Sequence, residues 1–387
     1  MKRKTLIVIT VILAAIAAFA AGSASTLLLL NSRGAYATAG DSSIFARLAE
    51  VYDILMTRYY KEVDGDVLVQ GAIDGMMASL GDPYTFYYTP EEMESEFESM
   101  NGEYVGIGML LALTHENTLV AQQIYRNSPA EKAGLRAGDQ LLRVYDEDVS
   151  HGTQEMLNHA ANIIRGEEGT QVQLTVLRDG KEVVIDITRG RVEIEYAYYE
   201  MRDDGLMYLN LSGFNGNAAR IMKEALESAN ANGCKGVLID LRSNPGGQLG
   251  VVLDCLDLVI PKGLLVYLED REGAREEYFS DSTYDPIPIA VLIDENSASA
   301  SELFTGAVKD YDRGVVVGKK SFGKGIVQTV HSFINDGAGL QYTSEVYYTP
   351  SGVCIHGSGI MPDIEIEDDP ETEFDEALEE AARQLLK

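Results

Sequence analysis

The chain has 387 residues, 45% of them hydrophobic, so it can bury more than one core and two or three domains are expected. Sixty-one acidic residues against 31 basic ones give a formal net charge of −30. Such a surface repels phosphate backbones and anionic headgroups, which argues against a nucleic-acid function.

At the N-terminus, Lys2, Arg3 and Lys4 precede a run, residues 5–32, that carries no charge. Basic residues before an apolar run stay in the cytoplasm while the following chain crosses the membrane. The segment 1–33 is therefore read as a single-pass membrane anchor with the rest of the chain on the extracytoplasmic side. The run reaches spanning length because Leu27 to Leu30 continue it. If it is cleaved instead, Leu6 to Ala21 is the signal core, Ala18-Phe19-Ala20 the cleavage site, and the protein is secreted.

The next region, 34–100, reads as helical. Apolar residues recur at helical spacing from Ser43 through Leu55 and again from Val67 to Leu80, where Gly81-Asp82-Pro83 stops the pattern. The acidic stretch PEEMESEFES after it is a third helix, solvated on one face. The apolar faces of the first two make a homodimer possible.

Between 101 and 192 the pattern changes to short strands and turns. Ser128 reads as an N-cap with Pro129 at the first helical position and Glu131 closing a capping box, and Thr153 to Ile164 reads as a second helix. The block resembles a PDZ domain of the bacterial, protease-associated type. The resemblance implies a groove that takes an extended C-terminal peptide as an added strand and caps its carboxylate with backbone amides. The carboxylate loop maps to Tyr104, Val105, Gly106, Ile107 and Gly108. Arg165, at the end of the second helix, is a candidate for coupling peptide binding to activity.

From 193 to 387 strands and helices alternate. Leu206–Leu211, Gly236–Leu241, Ile289–Ile293 and Gly314–Val317 are β-branched and aliphatic runs, separated by helical patterns at Ala218–Ala231, Leu249–Leu258 and Glu302–Val308. That rhythm predicts a mixed α/β core with a buried sheet. Turn signals at Arg271-Glu272-Gly273 and Asn335-Asp336-Gly337 predict antiparallel hairpins, and Glu373 to Leu386 a terminal amphipathic helix.

Ser299 in ENSASASE and Lys324 in SFGKGIVQ carry the chemistry. A serine hydroxyl is a poor nucleophile until a base takes its proton, and a lysine serves only when desolvated and neutral. Phe322, Ile326 and Val327 are the residues that could strip water from Lys324. Gln328 lies an even number of residues on, so in an extended segment the two side chains share a face. Ser299-Ala-Ser-Glu302 is also a capping-box pattern, and a serine at the first turn of a helix lies beside unpaired amides and the positive dipole end. Ser297 and Ser301 compete with Ser299. The five histidines accompany no GxSxG, GDSGG or HExxH element, and the three cysteines (Cys234, Cys255, Cys354) have unrelated spacings. No metal or cofactor is implied.

These motifs, with LRSNPGG (Leu241 to Gly247) upstream, resemble the carboxyl-terminal processing peptidases, or tail-specific proteases. The resemblance implies that Ser299 is the nucleophile, Lys324 the general base and Gln328 the residue that orients the lysine. It also implies oxyanion-hole amides from Ala300 and from Gly246 or Gly247. The function so implied is a Ser-Lys endopeptidase that acts on protein substrates with an exposed apolar C-terminus. The other reading is a catalytically silent PDZ scaffold of the cell envelope.

Overall fold

The computed structural model describes residues 41–281, 284–367 and 374–387. The expected fold is corrected in one respect. Among the described residues no helix is long and apolar enough to cross a membrane, and residues 1–33, on which the expected transmembrane anchor falls, lie outside them. The anchor therefore has no support as part of the fold, which stands as a mixed α/β chain.

The chain divides after Gly81 into two compact units. The first contains α1 (Asp41–Arg58) and α2 (Gly65–Ser79). Asp64 caps α2 by accepting the Asp66 N–H at 2.9 Å. Phe45, Leu48, Val51 and Ile54, the apolar positions of α1, stay exposed.

The second unit opens with β1 (Phe86–Tyr88) and α3 (Pro90–Asn101), which is closed at its start by the Thr89–Glu92 capping box and ended by Gly102 at φ 71°. There follow β2 (Glu103–Gly106), β3 (Met109–Leu113), β4 (Leu119–Ile124), α4 (Pro129–Lys132), β5 (Gln140–Val144) and β6 (Glu147–Asp148). After these come α5 (Gln154–Ile164), β7 (Gln171–Arg178), β8 (Lys181–Thr188) and β9 (Gly190–Glu193). Strands β3, β4, β5, β7 and β8 form an antiparallel sheet in that spatial order. Its core is Leu119, Leu141, Val144, Val172, Leu174 and Ile187 under Ala160 and Ile164 of α5. β2 pairs with β9 as a separate ribbon.

The remainder is two sheets with their helices. Its elements are β10 (Ala197–Met201), β11 (Met207–Leu211), α6 (Ala218–Ala231), β12 (Val237–Asp240), α7 (Leu249–Asp257), β13 (Leu264–Asp270) and β14 (Arg275–Phe279). They continue as β15 (Ile289–Ile293), α8 (Ala300–Asp310), β16 (Gly314–Gly318), β17 (Ile326–Ser332), β18 (Gly339–Tyr348), β19 (Ile364–Glu365) and α9 (Glu376–Leu385). A six-stranded sheet runs β10-β11-β12-β15-β16-β19, parallel except where β10 meets β11.

The central strands are buried on both faces, which is why they read as continuous aliphatic runs without alternation. Val237, Ile239, Val291 and Ile293 point to the face covered by α6, α7 and α8, while Leu238, Ala290 and Leu292 point to Ala377, Ala381 and Ala382 of α9. Both expected hairpins form, β13–β14 and β17–β18. With β1 they build a second, antiparallel sheet on which the six-stranded sheet does not depend for pairing.

Candidate active site

Two neighbouring parallel strands, β12 and β15, deliver the site from their carboxyl ends, where open α/β sheets present ligand sites. After β12 the chain turns through Leu241–Gly247, and after β15 through Asp294–Ser299 into α8. The two turns are laced together. Asp294 accepts the Ser243 N–H at 2.9 Å, Ala298 N–H donates to the Asn244 carbonyl at 3.0 Å, and the Ser301 hydroxyl donates to that same carbonyl at 2.9 Å.

This lacing separates the three serines. Ser297 is fully buried and its hydroxyl donates to the Leu241 carbonyl at 2.8 Å, and Ser301 is equally buried on Asn244. Of the three, Ser299 lines the open cleft. Its backbone sits at φ 54°, ψ −114°, a conformation that costs a non-glycine residue about 1–3 kcal/mol and persists only where the surroundings impose it. Gly246 is part of that surrounding. At its φ of 111° a Cβ would lie 2.8 Å from Cβ of Ser299, so a side chain there would displace the serine.

The expected amides differ in availability. The Gly246 N–H donates to Asn244 Oδ1 at 2.9 Å inside the protein, which removes it from the expected oxyanion donors. Among the described residues the N–H groups of Gly247 and Ala300 have no acceptor, and both residues line the cleft with Ser299. Ala300 is the first residue of α8, where unpaired amides and the helix dipole coincide.

Lys324 lies in the loop before β17 and lines the same cleft. Burial pushes its ammonium below the ordinary lysine range, while the carboxylates of Asp82 and Glu302 act in the opposite sense. Two of the expected apolar neighbours do line the cleft, Ile326 and Val327, but Phe322 is 59% exposed and does not dry the amine. Instead Nζ stands 4.4 Å from the centroid of the Tyr84 ring. Gln328 lines the same cleft as Lys324; a register shift lies between Val327 and Gln328, and the Gln328 Nε2 donates to Thr343 Oγ1 at 3.4 Å.

Two residues that sequence reasoning did not assign a site role join the serine to the lysine. Glu302 is wholly buried in α8. Its Oε2 accepts the backbone N–H of Ser299 at 2.9 Å and that of Lys324 at 2.8 Å, and its Oε1 accepts the Gly323 N–H at 2.7 Å and the Ser321 hydroxyl at 2.5 Å. The reciprocal arm of the expected capping box is therefore present, and the same carboxylate also fixes the lysine loop. Four donors offset the cost of burying a charge. The hydroxyl of Tyr347, buried in β18, donates to the Ser299 carbonyl at 2.9 Å and is shared with the Lys324 carbonyl. Glu302 had a visible signal in the S-x-x-E spacing; Tyr347 had none.

The expected peptide site is built differently in part. Tyr104, Val105 and Gly106 belong to β2 and pair with Val192, Arg191 and Gly190, so only Ile107 and Gly108 form the turn into β3. β3 is an edge of the sheet beside α5, with Met109, Leu111, Met156 and Leu157 partly buried between them. An open edge next to an apolar helix face is what strand addition requires. Arg165 is exposed at the end of α5. Its charge acts on Glu98 of α3, whose carboxyl burial pushes up and Arg165 draws down, and on the Tyr104 hydroxyl, which burial also pushes up and Arg165 draws down.

Comparison with known proteins agrees with this layout. Residues 205–366 match the model of peptidase family S41, residues 22–92 that of the activating protease CtpB N-terminal domain, and residues 120–178 that of a PDZ domain. A "Probable CtpA-like serine protease" of Staphylococcus aureus (strain COL) is 36% identical over 331 residues, 84% of this chain and 66% of the relative. One from Staphylococcus epidermidis is 37% identical over 324 residues, 83% of this chain and 65% of the relative. The chain thus spans about 66% of the length of the curated relatives it matches. Among solved structures, the photosystem II D1 C-terminal processing protease is 28% identical with a TM-score of 0.50, covering 88% of this chain and 90% of its own.

Proposed function

The chain belongs to peptidase family S41, and we propose that it is a serine endopeptidase that takes the apolar C-terminal tail of a protein substrate into its PDZ groove and cleaves by a Ser-Lys mechanism. The observation that carries this is one buried carboxylate, Glu302, which holds the backbone amides of both Ser299 and Lys324 at one cleft beside the unpaired amides of Gly247 and Ala300.

In the proposed reaction the neutral amine of Lys324 accepts the Ser299 hydroxyl proton as the serine oxygen bonds to the scissile carbonyl carbon. Negative charge moves to the carbonyl oxygen, and the Gly247 and Ala300 N–H groups stabilise it. The Lys324 ammonium then protonates the leaving amine as the carbon–nitrogen bond breaks. Water then bonds to the acyl carbon as Lys324 takes its proton, the bond from that carbon to Ser299 Oγ breaks, and the Lys324 ammonium returns the proton to Oγ as the acid product leaves. The tail reading rests on the PDZ match and on the open edge of β3. Action outside the cytoplasm is proposed from the basic residues that precede the uncharged run 5–32.

A fluorophosphonate probe tests the reading. It should label the wild-type protein at Ser299, label Ser299→Ala not at all, and label Lys324→Ala and Lys324→Arg at a small fraction of the wild-type rate. Arginine keeps the charge but does not give up its proton. Substantial turnover by folded Lys324→Arg would end the dyad reading, and absence of both labelling and turnover in wild type would leave a peptide-binding scaffold.

A further inference from the structure

We propose that Asp82 and Tyr84, in the loop that precedes β1, are positioning residues of the dyad: they form the seat into which Lys324 carries the proton taken from Ser299. This deepens the reading above and rests on it. A lysine base ends each proton transfer as a cation in a partly dry cleft, and something must make that cation tolerable without holding it permanently.

The geometry supplies both halves. Nζ of Lys324 stands 4.4 Å from the Tyr84 ring centroid, inside the distance of about 6 Å over which a ring face attracts an ammonium. The Asp82 carboxylate, whose charge acts on the same ammonium, is fixed as an acceptor. The Thr85 and Thr343 hydroxyls each donate to its Oδ2 at 2.7 Å, and the Tyr84 N–H donates to its Oδ1 at 2.9 Å. The Thr343 N–H in turn donates to Thr85 Oγ1 at 3.1 Å, and Gln328 donates to Thr343 Oγ1. Gln328 therefore reaches the lysine's surroundings through the threonine and the carboxylate.

The carboxylate is held ready as an anion. Burial alone would raise the Asp82 carboxyl, but the Thr85 and Thr343 hydroxyls, the Tyr84 N–H and, last, the charge of Lys324 hold it below the ordinary carboxylate range. No step needs a further reactant. The proton leaves Ser299 Oγ, resides on Lys324 Nζ against the ring and the Asp82 charge, and passes to the leaving amine. The other ionisable groups at the amine are Glu302 of α8, engaged by its four donors, Tyr347 of β18, engaged with two carbonyls, and Glu96 and Tyr88, which line the same cleft from α3 and β1.

The pH profile tests it. Removing an anion lowers the lysine's affinity for protons, so the amine becomes available at lower pH. Asp82→Asn, which keeps one oxygen for the hydroxyls, should move the ascending limb of kcat/KM to lower pH and reduce the plateau roughly tenfold, because the weaker base stabilises the transferred proton less. Tyr84→Leu should move the limb in the same direction, and Tyr84→Phe should leave it in place. A lower plateau with an unmoved limb in both Asp82→Asn and Tyr84→Leu would show a merely structural loop and overturn the proposal. If Asp82→Asn does not fold, the limb of Tyr84→Leu decides. Lys324→Ala, assayed alongside, keeps the two readings apart: its activity would end the dyad itself, whereas its inactivity with an unmoved limb ends only the role of the seat.

Discussion

The proposed peptide groove and the proposed catalytic cleft of the second unit are built in opposite ways. The groove is closed by near neighbours in the chain: β3, the Ile107-Gly108 turn before it and α5 all lie between residues 107 and 164. The cleft is assembled from afar. Asp82 binds Thr343 across 261 positions, Tyr347 reaches Ser299 across 48, and Glu302 holds the Gly323 and Lys324 amides from 21 and 22 residues upstream. Local construction lets the groove depend on the periodicity of one segment, whereas the cleft depends on individual polar atoms meeting across the fold. Damage to the two should therefore read out in different kinetic constants.

The largest expected effect comes from Glu302→Gln. Each Glu302 oxygen faces two donors, so an amide must turn its NH2 toward one of those pairs, leaving buried donors unpaired at a cost of about 3–5 kcal/mol. kcat/KM should fall on the order of 10²-fold or more, with a lowered Tm, while binding of a tail peptide by the PDZ domain stays unchanged. A variant with wild-type kcat would show that the carboxylate does not hold the dyad together. Loss of peptide binding in a folded variant would break the separation between the two regions.

Much of the scaffold was legible because it is local. The helix expected at Ala218–Ala231 is observed with those limits, Ile289–Ile293 likewise as a strand, and both hairpins follow from Gly-containing turns. The address of Ser299, the proposed nucleophile, at the head of a helix was legible for the same reason, since strand, turn and N-cap are adjacent in sequence. What surrounds Lys324 was not. Gly81-Asp82-Pro83 carries only a helix-stop signal, and nothing in its composition says that its carboxylate will stand near a lysine of another segment. Tyr347 shares its strand with Tyr342 and Tyr348, and nothing in the sequence singles it out from them. Gln328 shares the cleft with Lys324, as their even spacing suggested, but its bond to Thr343 joins two strands and no local spacing reports it.

The groove has a smaller and separable effect. Comparing a peptide acid with its C-terminal amide should raise KM about tenfold and leave kcat unchanged, because the amide loses a charge-assisted hydrogen bond made in binding and absent from the chemistry. Equal constants for the two would remove carboxylate capture from the β3 edge. A change in kcat would instead mean that tail binding is felt at Ser299, and the exposed Arg165 between α5 and the Glu98 helix would be the first residue to substitute.

The smallest effect is expected where the sequence suggested a large one. Phe322, two residues before the proposed base Lys324, was expected with Ile326 and Val327 to dry it, yet its side chain is 59% exposed, while Ile326 is buried and the Tyr84 ring centroid lies 4.4 Å from the amine. A side chain that stands mostly in water excludes little of it from a neighbour. Phe322→Ala should therefore change kcat/KM by less than about twofold and leave the ascending pH limb where it is, since exposed substitutions away from a site generally perturb by less than about 0.5 kcal/mol. A tenfold loss would show that the aromatic ring closes onto the lysine when substrate fills the cleft. In that case Phe322→Ala would also move the limb to higher pH, because an amine that water still reaches keeps its proton longer, opposite in sign to the shift expected of Asp82→Asn.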